Sequence, residues 1–371
     1  MEAHHDDGAR AALRAIAVAA IALAGLAFSL LPPAERLDSM LLDAQWRLLR
    51  RFDVRPAPDE IVIVGIDEAT VKAIPEPPGL WHAALGRTLA RLASVQPRAM
   101  ALELPLPERS YDGVKPGLDR ALFEGLAAAT EAGPFVAVLS IDARTRGVRN
   151  IHLPYLALLG ESRLGIDLTA RDADGVVRRY SLTVPTEDGG FPTLEGRLCR
   201  AMKRACNEGL IQYALGAKYT YVPMKNVLAM TDEALLKRLF HDRIVLIGEA
   251  QAFSDRVEVP LNLAAWEPDV AHSPGIVVHA QTLRTALAEA APQEGSRLLA
   301  FVLMSAAALL FLMRDWRFAA LTALAGGIAF FMVAIVMLRG GLFLPIASIL
   351  FTLALAVAAR AAATAYWRRK S

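Results

Sequence analysis

Four stretches without a charged side chain constrain this chain more than any other feature: residues 15–34, 298–313, 318–338 and 340–359, of 20, 16, 21 and 20 residues. About 20 apolar residues cross the hydrocarbon layer of a bilayer as a helix. The 16-residue stretch is short, but Arg297 and Arg314 flank it. Arginine extends such a segment by laying its aliphatic stem along the helix and leaving its charge at the interface. We therefore expect four spans. Residues 314–317 and 339–341 are long enough only for tight reversals, the second with two glycines, so the last three spans should form a hairpin bundle.

Charge orients this frame. Arg10 and Arg14 precede the first span, Arg314 and Arg317 follow the second, and Arg368, Arg369 and Lys370 follow the fourth. All three groups lie on the cytoplasmic side together if the chain crosses four times, with only Arg339 against the rule. This predicts a cytoplasmic N-terminus (1–14), a first span (15–34), an extracytoplasmic domain (35–297), a three-helix transmembrane bundle (298–367) and a cytoplasmic tail (368–371). The competing reading of the first span is a cleaved signal peptide ending near Ala22-Leu-Ala24; continuation of the apolar helix past that site favours the span. Small residues recur along the first span (Ala15, Ala19, Ala20, Ala24) and the last (Ala354, Ala358, Ala362), a spacing that lets helices approach closely. A homodimer is expected. The lipid bilayer is the partner this frame requires. Residues 32–297 hold 31 basic and 34 acidic side chains, so no clustered basic face argues for nucleic acid.

The exported block, some 266 residues, can bury a large core without staples. Residues 61–66, 99–104, 135–139 and 243–248 are short β-rich apolar runs of the kind buried on both faces of a parallel sheet. Helical patterns over 81–95 and 117–132 separate the first three, which argues right-handed parallel crossovers. Residues 163–169 and 176–184 flank the turn sequence Asp172-Ala-Asp-Gly175 and read as an antiparallel hairpin. Residues 192–208 read as a helix, and Pro274-Gly-Ile-Val-Val-His-Ala280 opens another. Residues 35–52 carry a helical repeat that continues the first span outward. The fold class is α/β: a domain with a mixed, largely parallel sheet between transmembrane helices, one N-terminal and three C-terminal. If 192–208 is one helix, Cys199 and Cys206 stand about 10 Å apart and are two thiols.

Read together, these segments resemble the type-two CHASE domain, the extracellular sensory domain of bacterial cyclases, histidine kinases and serine/threonine kinases. The residues that carry the resemblance are Asp43, Ile63-Val-Gly-Ile-Asp-Glu68, Trp81-His-Ala83, Asp174-Gly-Val-Val-Arg-Arg179, Arg243-Ile-Val-Leu-Ile-Gly248, Asp255 and Pro274-Gly-Ile-Val-Val-His-Ala280. The chain departs from the family pattern at Leu102-Glu-Leu-Pro-Leu-Pro107 and over 251–272. The resemblance implies a bacterial inner-membrane sensor that relays through its transmembrane helices to a cytoplasmic effector. No catalytic domain follows the last span, so the effector, a cyclase or kinase, is expected on a separate chain or on the missing part of a longer one. An envelope scaffold that docks another protein is the alternative.

Candidate site residues follow from the sheet. Ligands bind at the carboxyl ends of strands in open α/β sheets. Asp67 and Glu68, Glu103, Asp142, and Glu249 and Asp255 follow four of the predicted strands. Converging carboxylates suit a cationic ligand or a hard metal, although such residues also cap helices. Trp81 is a candidate pocket wall, and His279 a candidate pH-responsive group on an apolar helix face, where a structural role is the commoner one. The ligand-binding set is Asp67, Glu68, Trp81, Glu103, Asp255 and His279, with neither a bound metal nor a cofactor expected. Arg178 and Arg179 are assigned to solvent or to acidic neighbours. The sequence contains no G-x-S-x-G, H-E-x-x-H, GxxxxGK[ST] or GxGxxG, so no enzyme activity is expected. Transport is disfavoured, because the spans hold only Ser29, Ser305, Thr322, Ser348 and Thr352 as polar side chains.

Overall fold

The computed structural model describes residues 2–58, 60–141, 148–185, 190–268 and 270–368. Its contacts divide the chain into two units, Val54–Ala291 and the pair of segments Met1–Asp53 and Pro292–Ser371. The second of these opens with α1 (Glu2–Ser29) and α2 (Pro32–Phe52). The expected single run from the first span into the amphipathic helix is interrupted. Leu31 is extended (φ −98°, ψ 146°) because Pro32 disfavours helical backbone in the residue before it, and Pro32 and Pro33 then open α2.

In the unit Val54–Ala291 the strands are β1 (Ile61–Ile66), β2 (Ala99–Leu102), β3 (Phe135–Leu139), β4 (Leu164–Ile166), β5 (Arg179–Tyr180), β6 (Thr183–Val184), β7 (Phe191–Pro192), β8 (Gly209–Leu210), β9 (Tyr221–Pro223), β10 (Ile244–Glu249), β11 (Arg256–Glu258) and β12 (His272–Pro274). Six of them form one sheet in the order β4-β3-β2-β10-β1-β9, and every pairing in it is parallel. The remaining strands make two-residue and three-residue antiparallel ribbons, β5 with β8, β6 with β7 and β11 with β12. The helices are α3 (Glu68–Ala73), α4 (His82–Ala93), α5 (Leu118–Ala132), α6 (Leu153–Leu159), α7 (Leu194–Ala201), α8 (Met224–Ala229), α9 (Glu233–Phe240) and α10 (Gly275–Leu287).

Alternation along the strands builds two cores. Val64, Ile66, Met100, Leu102, Phe135, Ala137, Val245 and Ile247 face one side with Leu89, Leu92, Leu122, Leu126, Val227 and Phe240 of the helices there. The residues between them, among them Glu103 and Gly248, have the opposite parity and belong to the face on which α7 and α10 pack. All residues of α10 from Gly275 to Ala286 are buried.

Two expectations fail in this unit. The segments either side of Asp172–Gly175 do not pair with each other. The turn forms, with Gly175 at φ +87° and its N–H donating to the Asp172 carbonyl, but β4 joins the main sheet beside β3 while β5 pairs with β8. Nor does one helix cover 192–208. It stops at Ala201, Lys203 takes a left-handed φ of +53°, and the chain turns back so that Cys199 and Cys206, with Cα atoms 6.3 Å apart, form a disulfide. The two-thiol expectation fails with the helix that supported it.

The C-terminal segment carries α11 (Arg297–Ala308), α12 (Trp316–Arg339) and α13 (Ala347–Arg368), with Gln293–Glu294 and Leu342–Phe343 as a two-stranded parallel ribbon. Among the described residues, three helices are long and apolar enough to cross a membrane, Ala12–Ser29, Trp316–Arg339 and Ala347–Arg368. The remaining apolar helix, Leu298–Leu312, is shorter. The last span begins later than residue 340, because Gly341 takes φ +91° and leads into the ribbon strand rather than a helix. Within this unit α1 packs on α11 and α13. Ile21, Ala22, Ala308 and Ala356 are buried there, and Phe28 stacks on Phe351 at 4.2 Å between ring centroids.

Candidate functional site

On the α7/α10 face of the sheet, four elements bring ionisable groups to one buried point. Glu103 follows β2 directly, its N–H held by the Ile247 carbonyl at 2.8 Å. Asp167 follows β4, its N–H held by the Leu139 carbonyl at 3.1 Å. His279 lies one turn into α10, and Glu195 lies in the first turn of α7, which is capped by the Thr193 hydroxyl accepting from the Gly196 N–H. The ring sits among the carboxylates. His279 Nδ1 is 2.6 Å from Glu195 Oε1, while Nε2 is 3.1 Å from Asp167 Oδ1 and 3.4 Å from Glu103 Oε1. Asp255 adds its charge to the same field.

Burial opposes charge on this imidazole, but Glu195, Asp167 and Glu103 outweigh it, and the His279 pKa is raised well above the ordinary histidine value. Glu103 moves the same way for the opposite reason. Burial disfavours its carboxylate, and the charges of Asp255, Asp167 and Glu195 add to the rise, with His279 offsetting only part. The Asp255 carboxyl is also raised, by burial first and then by Asp167. Fully ionised, four carboxylates around one imidazolium would leave three uncompensated negative charges, a state that retained protons avoid.

Of the six residues singled out in the sequence, Glu103, Asp255 and His279 meet here. The other three lie elsewhere. Asp67 caps α3: its Oδ1 accepts from the Thr70 N–H (2.7 Å) and hydroxyl (2.6 Å), and its Oδ2 accepts from the Tyr221 hydroxyl at 3.1 Å. Glu68 is exposed and accepts from the Ala252 N–H at 2.8 Å. Trp81 is 4% exposed, donates Nε1–H to the Glu76 carbonyl, and walls a separate cavity of about 590 Å³ on the α4 side with His82, Leu102 and Arg109. Glu249 accepts from the Ser254 hydroxyl. Asp142 lies outside the described residues.

Sequence reasoning missed Asp167 and Glu195. Reading 163–169 as half of a hairpin removed Asp167 from a parallel strand end, where the rule that found Glu103 would have found it as well. Glu195 carries only the signature of an acidic first turn, common in helices that bind nothing.

The same geometry explains several motif positions. A Cβ at Gly248 would stand 2.0 Å from Glu103 Oε2, and one at Gly275 would stand 2.0 Å from Asp255 Oδ2. Gly248, Asp255, Gly275 and His279, drawn from three separate sequence motifs, thus converge on one cluster. Compared with protein-family models, the chain matches the CHASE2 domain over residues 16–322. No curated protein and no solved structure matches it.

Proposed function

The chain belongs to the CHASE2 family of extracellular sensory domains, and from that premise we propose that it is the input unit of a bacterial signal-transduction system. In this reading Val54–Ala291 lies outside the inner membrane, and the apolar helices of the other unit anchor it and carry its state to a cytoplasmic effector of the cyclase or kinase kind. The effector acts from a separate chain or a continuation of this one, and a second copy of the chain is the partner through which the helices signal. The Cys199–Cys206 disulfide supports the location, since such bonds persist in oxidising compartments.

The observation that carries the reading is the His279 cluster. Buried ionic networks commonly add no stability over apolar packing of the same volume. A domain that gathers four acids and a histidine on one face of its sheet is therefore organised for recognition, and the input is read there. No residue set in the domain is assigned to catalysis.

Mild crosslinking of the full chain in its own membranes, followed by mass spectrometry, tests the proposal. Near-stoichiometric recovery of a cyclase or kinase domain is the expected result. Recovery of the chain alone, or only with other envelope proteins, would overturn it in favour of a scaffold.

A further inference from the structure

We propose that Glu103, Asp167 and His279 bind a divalent transition-metal cation, with zinc the best fitted, and that Glu195 orients the ligating imidazole. Three separate observations lead there. The first is spacing. One ligand atom from each residue lies within 4.8 Å of the others, and Nε2 stands 3.4 Å from Glu103 Oε1 and 3.1 Å from Asp167 Oδ1. Ligands about 2.1 Å from a tetrahedral zinc are separated from one another by about 3.4 Å. The two separations from Nε2 match that spacing, and the two carboxylate oxygens lie within 4.8 Å of each other.

The second is the far side of the ring. Metal-bound histidines almost always donate their other N–H to a carboxylate or carbonyl, which fixes the tautomer and aims the free nitrogen at the metal. His279 Nδ1 against Glu195 Oε1 at 2.6 Å is that arrangement, leaving Nε2 to face Glu103 and Asp167. The third is an unanswered group. Glu103 is 7% exposed, and its Oε2 has no hydrogen-bond partner among the described residues. A buried carboxylate oxygen without a partner is costly, and a cation beside the carboxylate removes the cost.

Donor chemistry selects the ion. An all-oxygen shell would suit calcium or magnesium, whereas an imidazole nitrogen among carboxylates suits zinc and its first-row neighbours. Asp167, with 37% of its side chain exposed, is the side of the cluster open to solvent and to an arriving ion. The site deepens the sensor reading by naming the class of input. It rests on that reading only for the ion's role as a signal, not for its binding.

The experiment is zinc titration by isothermal calorimetry on the full chain, stripped of metal and held in lipid nanodiscs. Because His4 and His5 form a second imidazole source, all measurements use a His4→Ala, His5→Ala background. One zinc per chain is expected to bind saturably, with Asp167→Asn and His279→Gln each weakening it at least a hundredfold and Glu195→Gln ten- to a hundredfold. Glu124→Gln, on an exposed face of α5, leaves it unchanged. Asp167 is half-exposed, so its asparagine variant tests the site even where His279→Gln fails to fold. Absence of saturable zinc and manganese binding in the parent, or undiminished binding in Asp167→Asn, would overturn the site. Zinc binding with the expected residue dependence but no effector in the crosslinking experiment would keep the site and discard the sensor reading.

Discussion

Gly248 makes the room in which the Glu103 carboxylate sits, and its substitution separates the site from the fold. In Gly248→Ala the new methyl would meet Glu103 Oε2 at 2.0 Å and Ile276 Cδ1 at 2.9 Å. The first obstacle is the end of a flexible side chain, so Glu103 moves rather than the backbone. Overpacking of this kind costs about 1–3 kcal/mol. The expected outcome is a lowered melting temperature and at least tenfold weaker zinc binding. Adding Glu103→Ala should restore part of the lost stability while leaving zinc binding weak, since neighbouring substitutions that share one clash are not additive. If the double variant melts no higher than Gly248→Ala, the clash is with the core and not with the carboxylate. Arg178 offers a second prediction at this scale. Its side chain is 2% exposed, forked onto Asp174 at 2.8 Å through both oxygens and onto Asp172 at 3.0 Å. Hydrogen bonds from that guanidinium hold the Asp174 carboxyl below its ordinary value. A depressed carboxyl contributes stability that is present above the unfolded pKa, about 3.9, and is lost as pH falls through the folded one. Thermal melts of the full chain should therefore fall on acidification below about pH 4, and Asp174→Asn should melt lower at neutral pH yet lose less on acidification. An identical acid limb in both proteins would place the titrating group elsewhere.

Elements were legible where periodicity and length agreed. The runs at 61–66, 99–104, 135–139 and 243–248 coincide with strands over 61–66, 99–102, 135–139 and 244–249, and α4, α5 and α10 fall where the sequence pattern places helices. What failed was partnership, because local turn chemistry does not say which strands pair. Asp172–Gly175 forms its turn and still does not join its flanks, since the β-rich Leu164–Ile166 gains more by adding to the buried sheet at β3. The short α7 was misread for a related reason: helical composition continues past Ala201, but Lys203 at φ +53° ends the helix and brings Cys206 to Cys199. The site was half legible on the same terms, Glu103 from a visible strand end and Asp167 lost with the hairpin. The disulfide yields a prediction for this element. Closing so short a loop restricts the unfolded chain by about 2–3 kcal/mol in the loop-entropy account. Cys199→Ser with Cys206→Ser should lower the melting temperature of the full chain, and a reductant should lower the parent to the same value without further effect on the variant. A variant that melts at the parent's temperature, with no effect of reductant on the parent, would show that the bond contributes nothing.

For the whole molecule, one short helix decides the topology. Among the described residues three helices are long enough to cross unaided, and an odd number of crossings places the two termini on opposite sides of the membrane. Leu298–Leu312 makes the count even if it also crosses. Fifteen helical residues rise about 22 Å, some 8 Å less than the hydrocarbon layer. Mismatch of that size is met by local thinning of the bilayer and by flanking arginines reaching the interface, at a fraction of a kcal/mol per Å. Arg314 and Arg317 stand directly beyond its end, and bringing them to the cytoplasmic face together with Arg14 and Arg368 satisfies the positive-inside rule at every group but Arg339. With the domain outside, three crossings would leave two of these groups, Arg314 with Arg317 and Arg368, outside as well. The distribution of arginine outweighs the shortfall in length, so four crossings are expected. A reporter that works only in the cytoplasm, fused after Ser371, should be active, and one that works only outside, inserted at the exposed Gly113, should be active too. Activity of an external reporter after Ser371 would mean that α11 lies along the membrane rather than through it, with α12 and α13 crossing as a hairpin whose turn at 339–341 is cytoplasmic.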